Sequence, residues 1–164
     1  MRRVMIDAGK CNGCMTCVLA CAGAHAANDK SIIGGMMEKT PPRIQVLPVK
    51  GRAVPLLCLH CEEPACVDAC MTGAMRKDPK SGLVSNEGGE QACVGCWMCI
   101  MACPYGAVRQ HPDKKVALKC DGCPDREVPA CAAACPMDAL IWGEVDDFAA
   151  GRAMKTALAL LEGA

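Results

Sequence analysis

Cysteine is the residue type in this chain with the clearest capacity for chemistry. All sixteen cysteines fall into four groups of four, and each group ends with a C-x3-C step. The first and third groups read C-x2-C-x2-C-x3-C, while the middle gap widens to four residues in the second group and to seven in the fourth. The groups are Cys11, Cys14, Cys17, Cys21; Cys58, Cys61, Cys66, Cys70; Cys93, Cys96, Cys99, Cys103; and Cys120, Cys123, Cys131, Cys135.

The spacing within each group is typical of iron-sulfur ligation. Three cysteines two residues apart lie on one tight loop whose thiolates converge, so they can hold three irons of a cubane cluster. The fourth cysteine begins a helical turn and points away, and in two-cluster ferredoxins it ligates the other cluster. Four such groups predict four [4Fe-4S] clusters in two interlocked pairs.

Disulfides and zinc are the competing uses of so many thiols. The N-terminus has no apolar stretch of the kind found in signal peptides, and the longest apolar runs fall far below the roughly 20 residues that span a bilayer. We therefore expect a cytoplasmic protein, in which thiols stay reduced. Zinc sites usually pair C-x2-C elements, and a third cysteine two residues further on is excessive for a tetrahedral ion.

The composition agrees with a core that is not built mainly from large side chains. The chain has 164 residues, of which 52% are apolar, but only one Phe, one Tyr and two Trp. Clusters would occupy the volume that aromatic side chains normally fill, so we expect the apo-protein not to fold stably. Formal net charge is zero, and no basic excess indicates nucleic acid as a partner.

The segments between the cysteine groups predict short strands. Residues 43–49 and 53–57 flank a Lys-Gly-Arg turn and read as a β-hairpin. Turns at residues 78–82 and 111–114 separate two further pairs of short apolar segments. Residues 4–6 are predicted to form an N-terminal strand.

Two segments carry no cysteine and are predicted separately. Residues 28–42, rich in Gly, Pro and Lys, are expected to form a loop. Near the C-terminus, Asp146 or Asp147 can cap a helix in which Met154 and Leu161 share one face with Ala157 and Leu158. We expect that face to dock on the protein's own surface.

The chain resembles the four-cluster iron-sulfur subunits of molybdopterin and tungstopterin oxidoreductases, hydrogenases and carbon monoxide dehydrogenases. The resemblance rests on the four cysteine groups, on Cys103-Pro104-Tyr105-Gly106-Ala107, and on the segment LHCEEPAC at residues 59–66. It implies an α+β fold of two interlocked ferredoxin-like dicluster modules with short β-hairpins and a C-terminal helix. The implied modules are residues 1–40 plus 110–145 and residues 41–109, followed by the helix at 146–164.

The resemblance also implies which cysteines share a cluster. One module would hold its clusters on Cys11, Cys14, Cys17 and Cys135 and on Cys120, Cys123, Cys131 and Cys21. The other would hold them on Cys58, Cys61, Cys66 and Cys103 and on Cys93, Cys96, Cys99 and Cys70. Two tandem ferredoxins would use the same cysteines, so the sequence leaves nested and tandem pairing open.

The function implied by the resemblance is electron transfer. Such a subunit relays electrons between a large catalytic subunit, of the tungsten aldehyde oxidoreductase or carbon monoxide dehydrogenase type, and a flavin/NAD subunit or soluble ferredoxin. Alternatives are a free polyferredoxin serving several enzymes, a subunit of a hydrogenase or formate dehydrogenase, and a structural or regulatory metal module. The sequence shows no nucleophile paired with a base and no glycine-rich phosphate loop, so we expect no catalysis by this chain alone.

A few single residues near the cysteines bear on cluster type. Some members of the family replace a ligand in the third group with Trp and carry a three-iron cluster, but Trp97 here follows Cys96 without replacing it. The histidines His25, His60 and His111 are expected at the surface or in hydrogen bonds, because no cysteine is missing for them to replace. Lys119 is expected either to balance cluster charge or to lie in solvent.

Overall fold

The computed structural model of the chain describes residues 2–162, so residues 163 and 164 of the predicted C-terminal helix lie outside the described part. The helices are α1 (Thr16–Ala24), α2 (Ile32–Met37), α3 (Ala65–Asp68), α4 (Met98–Ala102), α5 (Ala130–Ala133) and α6 (Val145–Glu162). The strands are β1 (Arg2–Ile6), β2 (Gln45–Val49), β3 (Arg52–Leu56), β4 (Arg76–Lys77), β5 (Val84–Ser85), β6 (Arg109–Gln110), β7 (Ala117–Leu118) and β8 (Leu140–Glu144).

The strands pair into small antiparallel sheets, as the sequence predicts. The β2–β3 hairpin closes through Lys50 and Gly51, whose φ angles of 48° and 75° suit a tight two-residue turn. The pairs β4–β5 and β6–β7 each follow the last cysteine of a group and are only two residues long. These sheets are too small to stabilise a fold alone, so the elements around the cysteines depend on the groups that those cysteines bind.

Strands β1 and β8 bring the two ends of the chain together. Their register runs from Arg2 opposite Glu144 to Ile6 opposite Leu140. This pairing places the first cysteine group beside the fourth, and α1 packs against α5. In the middle of the chain α3 packs against α4, which places the second group beside the third.

The apolar interior is divided into two clusters, each of which contains cysteines. The first cluster buries Cys17, Cys21, Ile44, Leu57, Cys131 and Leu140. The second buries Met75, Val84, Cys99, Val108 and Ala117. Because Ile44 and Leu57 flank the β2–β3 hairpin, that hairpin packs with the first and fourth cysteine groups. The module boundaries at residues 40 and 110 stay a prediction.

The segment at residues 28–42 was predicted as a loop, and this prediction is wrong because the segment contains α2. Ser31 caps the helix by accepting the N–H of Gly34 on its hydroxyl at 3.0 Å. An ideal Cβ on Gly35 would lie 2.5 Å from the backbone nitrogen of Gly23 in α1. The glycines therefore allow α1 and α2 to pack closely. The prediction failed because glycine is more common in loops than at such helix contacts.

Helix α6 confirms the predicted C-terminal helix, but its apolar face does not dock on the rest of the chain. The prediction that Asp146 or Asp147 caps this helix is wrong, because the helix begins at Val145. Both residues lie inside its first turn, where their negative charge interacts favourably with the helix dipole. None of its residues is buried, and Leu161 is 85% exposed. Helix α6 contacts β1 and β8. Among the described residues, no helix has the length and apolar character needed to cross a membrane.

Candidate iron-sulfur sites

The four cysteine groups share one backbone feature. The residue before the second cysteine has a positive φ in every group, namely 77° at Gly13, 48° at His60, 64° at Gly95 and 84° at Gly122. Glycine meets this requirement without strain in three of the groups. The left-handed residue turns the loop back on itself, so that consecutive cysteines converge on one side.

A short helix follows each of these loops and carries the third cysteine in its first turn. Cys17, Cys66, Cys99 and Cys131 are each the second residue of α1, α3, α4 and α5, respectively. The positive end of a helix dipole stabilises a thiolate at that position. The fourth cysteine lies one turn further along, on the side that faces the neighbouring group.

The first candidate site, called site 1, is the set Cys11, Cys14, Cys17 and Cys135. All of these residues line one cavity, with about 330 Å³ free of protein atoms, part of it open to solvent. Exposed Cys14 lies at its rim. The first cysteine group thus meets the last cysteine of the fourth group.

Site 2 is the set Cys21, Cys120, Cys123 and Cys131. These residues line a second cavity, with about 560 Å³ free of protein atoms. Cys58 lies on the wall of the same cavity. The cavity wall therefore includes a cysteine of the second group, from the other half of the fold.

Site 4 is the set Cys70, Cys93, Cys96 and Cys99. These residues line a third cavity, with about 340 Å³ free of protein atoms, together with Trp97. Cys96 is exposed, as Cys14 is at site 1. Exposed Val94 and Met98 lie beside it.

Site 3 is the set Cys58, Cys61, Cys66 and Cys103. Burial, and then the nearby thiols of Cys58 and Cys103, raise the pKa of Cys66 to about 11. Cys61 is half-buried in the loop that carries Cys58. The second group thus lies close to the last cysteine of the third group.

The spacing of the thiols does not fit zinc. Within residues 2–162, the only three potential ligand groups whose ligand atoms all lie within 4.8 Å of one another are His25, Asp121 and Cys123. No three thiols of any site come that close. A zinc ion with Zn–S bonds of about 2.3 Å would hold its sulfurs about 3.8 Å apart. Four soft thiolates around a wider centre fit a [4Fe-4S] core.

Burial makes the thiols poor acids in the absence of a metal. It raises the pKa of Cys17 to about 11 and that of Cys120 to about 12, and it also raises the pKa of Cys131. A thiolate at these positions therefore needs a nearby positive charge. Iron supplies that charge, since a coordinating thiol is deprotonated outright.

Backbone amides donate hydrogen bonds to several of these sulfurs. The N–H groups of Arg43, Met75 and Ala139 donate to Cys21, Cys70 and Cys135 at N–S distances of 3.2, 3.2 and 3.3 Å. The N–H groups of His60, Ala117 and Gly122 donate to Cys58, Cys93 and Cys120 at 3.4 Å. Such bonds stabilise negative charge on sulfur and raise the reduction potential of a bound cluster.

A charged network surrounds Cys21 at site 2. His25 Nε2 lies 3.1 Å from Asp121 Oδ1, and Arg43 Nη1 lies 3.0 Å from Asp121 Oδ2. Burial disfavours the charged form of His25, but hydrogen bonds with Asp121 and Cys21 raise its pKa to about 10. The network therefore places cationic groups beside the sulfur. His25 and His60 are both hydrogen-bonded, and neither replaces a cysteine in any site.

Lys119 is buried between sites 2 and 3, which excludes the solvent position considered for it. It is 2% exposed, and its ammonium donates to the carbonyl oxygen of Cys120 at 2.5 Å and to that of Val84. Its charge acts on the thiols of both Cys66 and Cys120. In the sequence, Lys119 lies between the apolar strand β7 and the candidate ligand Cys120, and this position indicates burial.

Family models and curated relatives match most of the chain. The model for the 4Fe-4S dicluster domain matches residues 49–145, and a model for a 4Fe-4S binding domain matches residues 8–24. The B subunit of anaerobic dimethyl sulfoxide reductase from Escherichia coli (strain K12) is 34% identical, over 87% of this chain and 73% of its own length. Electron transport protein HydN of the same strain is 35% identical, over 96% of this chain and 98% of its own length.

A solved structure shows a weaker likeness. A chain of the active site complex BamBC of benzoyl coenzyme A reductase, as isolated, aligns with a TM-score of 0.46 and 25% identity. The alignment covers 87% of this chain and 76% of that chain.

Proposed function

The chain belongs to the 4Fe-4S dicluster family of iron-sulfur electron-transfer subunits, and from this premise we propose that it relays electrons between a catalytic oxidoreductase subunit and a second electron carrier. It carries four [4Fe-4S] clusters, each of which accepts and releases one electron when bound. The observation that carries the proposal is that three of the four proposed ligand sets, those of sites 1, 2 and 4, each line one cavity.

We propose the nested ligand sets, in which the first and fourth cysteine groups share sites 1 and 2 and the middle groups share sites 3 and 4. The cavity linings support this pairing, because Cys135 lies with the first group and Cys21 with the fourth. Cys70 lies in the same way with the third group. Tandem pairing would instead require Cys21 to face the second group.

The relay is proposed to run in the order of sites 1, 2, 3 and 4. Cys17 and Cys21 belong to the same helix, so α1 connects sites 1 and 2. Sites 2 and 3 meet where Cys58 and Cys120 line one cavity. Cys66 lies in the first turn of α3 and Cys70 lies two residues beyond its end, so this segment connects sites 3 and 4.

Sites 1 and 4 are proposed as the points where electrons enter and leave. Cys14 and Cys96, one at each of these sites, are the exposed cysteines of the described chain. Exposed Met15 and Met137 line site 1, and exposed Val94 lines site 4. Unlike the partly buried thiols between them, these positions are open to contact with a partner protein.

The proposed catalytic partner is a tungsten aldehyde oxidoreductase or a carbon monoxide dehydrogenase, with a flavin/NAD subunit or ferredoxin as the second carrier. Substrate chemistry then belongs to the partner, and this chain supplies only the electron path. A cytoplasmic location is proposed with it, because a reducing compartment keeps cysteines available as cluster ligands and disfavours disulfides.

A free polyferredoxin is the second candidate. It is favoured by the match to electron transport protein HydN, which extends over 98% of that protein's length. Gentle anaerobic purification of the tagged chain separates the two candidates. A stoichiometric large partner supports the subunit proposal, and a chain that elutes alone while still reducing several acceptors supports the free carrier.

Replacement of Cys21 tests the nested ligation. The variant Cys21→Ser should lose or convert the cluster at site 2, while the other three clusters keep their EPR signals. Cys11→Ser serves as the matched control, because it alters site 1 only. A Cys21→Ser variant that instead loses the cluster bound by Cys58, Cys61 and Cys66 would contradict nesting and support tandem pairing.

A further inference from the structure

Two buried N–H donors in the described chain have no hydrogen-bond partner in the protein although they lie beside site 2. They are Nε2 of His60 and Nε1 of Trp142. A buried donor without an acceptor is costly and rare in native proteins. Each therefore calls for a partner that the polypeptide does not itself provide.

The protonation pattern of His60 makes its Nε2 a donor. The N–H of Val84 donates to Nδ1 of His60 at 2.9 Å, so Nδ1 is the acceptor and the neutral ring carries its proton on Nε2. Because Nδ1 accepts this hydrogen bond, Nε2 is a buried donor without a partner in the described chain.

Both donors belong to residues that line the cavity of site 2. His60 and Trp142 lie on its wall together with Cys21, Cys120, Cys123 and Cys131. Among the described residues, this lining includes no aspartate or glutamate side chain. Neither nitrogen finds an acceptor in the described part of the protein, so the group that the cysteines of this cavity would bind is the acceptor available to both rings.

The third buried nitrogen of the described chain without a hydrogen-bond partner belongs to a side chain that already forms ion pairs. Nε of Arg43 also lacks a partner among residues 2–162. Its guanidinium is already paired with Glu87 at 2.7 Å and Asp121 at 3.0 Å, and Arg43 does not line the site 2 cavity. The two ring donors are therefore a feature of site 2.

We propose that His60 and Trp142 donate hydrogen bonds to the sulfur atoms of the cluster bound at site 2 and thereby raise its reduction potential. The inference rests on the proposed function, since it takes Cys21, Cys120, Cys123 and Cys131 as one ligand set. The reduced cluster carries one more negative charge than the oxidised cluster, so N–H donors stabilise it preferentially. His60 comes from the loop of site 3, so this donor joins the two modules.

Two variants remove one donor each with little change in shape. Trp142→Phe keeps an aromatic ring and loses Nε1–H. His60→Asn keeps an acceptor for the Val84 N–H, loses the Nε2–H donor, and suits the positive φ of 48° at this position. Trp97→Phe is the matched control, because Trp97 lines site 4.

The experiment is an EPR-monitored redox titration of the anaerobic holoprotein. Iron and sulfide analysis first establishes that the clusters are present, and Cys21→Ser identifies the site 2 signal. Trp142→Phe and His60→Asn should each weaken reduction at site 2 about tenfold, a shift of about 59 mV to more negative potential for a one-electron couple. Trp97→Phe should leave the site 2 potential unchanged.

Nitrogen hyperfine coupling provides a second readout, which does not depend on the reduction potential. With ¹⁵N-labelled tryptophan or histidine, the reduced site 2 cluster of the unaltered chain should couple to a ring nitrogen, and Trp142→Phe or His60→Asn should abolish the respective coupling. Absence of both couplings would overturn the proposal. So would unchanged site 2 potentials in fully loaded variants. Failure of the iron analysis would instead overturn the proposed function.

Discussion

At the scale of single residues, several of the thiols lie beside N–H donors or positive charge. Six backbone amides donate to cysteine sulfurs. Lys119 adds a buried cation between sites 2 and 3. These groups favour the reduced form of the clusters. They stabilise its additional negative charge, and the protein interior screens that interaction poorly.

Replacement of Lys119 with Met should lower the reduction potential at site 2, at site 3 or at both. Met retains the length of the side chain but removes the charge, so the reduced state loses more stabilisation than the oxidised state. The carbonyl oxygens of Val84 and Cys120 would also lose a donor, at a cost of about 1–3 kcal/mol in stability. A redox titration and a denaturation series on the same sample measure both effects.

The control for that variant is Lys115→Met. Lys115 is exposed, so the loss of its charge is screened by solvent and should change neither the potentials nor the stability appreciably. Equal potential shifts in the two variants would show that overall charge, rather than the buried position of Lys119, determines the effect.

At the scale of elements, short helices carry the cysteines and depend on close packing. Helix α1 carries Cys17 and Cys21, and α2 packs against it at Gly23 and Gly35. Neither α2 nor the loops around it carry a ligand. The role of α2 is therefore to hold α1 in position between sites 1 and 2.

The variant Gly35→Ala should destabilise this contact. The new methyl group would lie 2.5 Å from the nitrogen of Gly23, and overpacking of this kind costs about 1–3 kcal/mol. We expect clusters to be lost about tenfold faster or more in a fixed concentration of denaturant, as followed by visible absorbance. Gly151→Ala in α6 meets no atom within 4 Å and should not accelerate the loss.

Helix α6 lies outside the part of the chain that holds the sites. None of its residues is buried, although Arg152 approaches Asp7 at 3.8 Å. A chain that ends after residue 150 should therefore keep all four clusters and their potentials, as measured by iron analysis and redox titration. Loss of the site 1 cluster in this shortened chain would show that α6 supports the strand pair β1–β8.

At the scale of the whole molecule, the local features were predictable and the long-range ones were not. The cysteine groups, the β2–β3 hairpin and the C-terminal helix follow from spacing, turn residues and periodicity. Helix α2 and the exposed face of α6 were predicted wrongly, because each depends on what packs against the segment. The burial of Lys119 and the unpartnered nitrogen of Trp142 likewise arise only when distant segments meet.

In the proposed relay, four thiol sets lie in series, with the exposed Cys14 and Cys96 at the two outer sites. Its central property is thus the capacity to hold several electrons on one small protein. A zinc-loaded structural module with the same cysteines would hold none, since Zn²⁺ has no redox chemistry.

Coulometric reduction of the anaerobically purified holoprotein tests this property most directly. With four [4Fe-4S] clusters that each accept one electron, the chain should take up about four electrons, with about sixteen iron and sixteen sulfide per chain. Uptake of no electrons, together with stoichiometric zinc and no sulfide, would contradict the account.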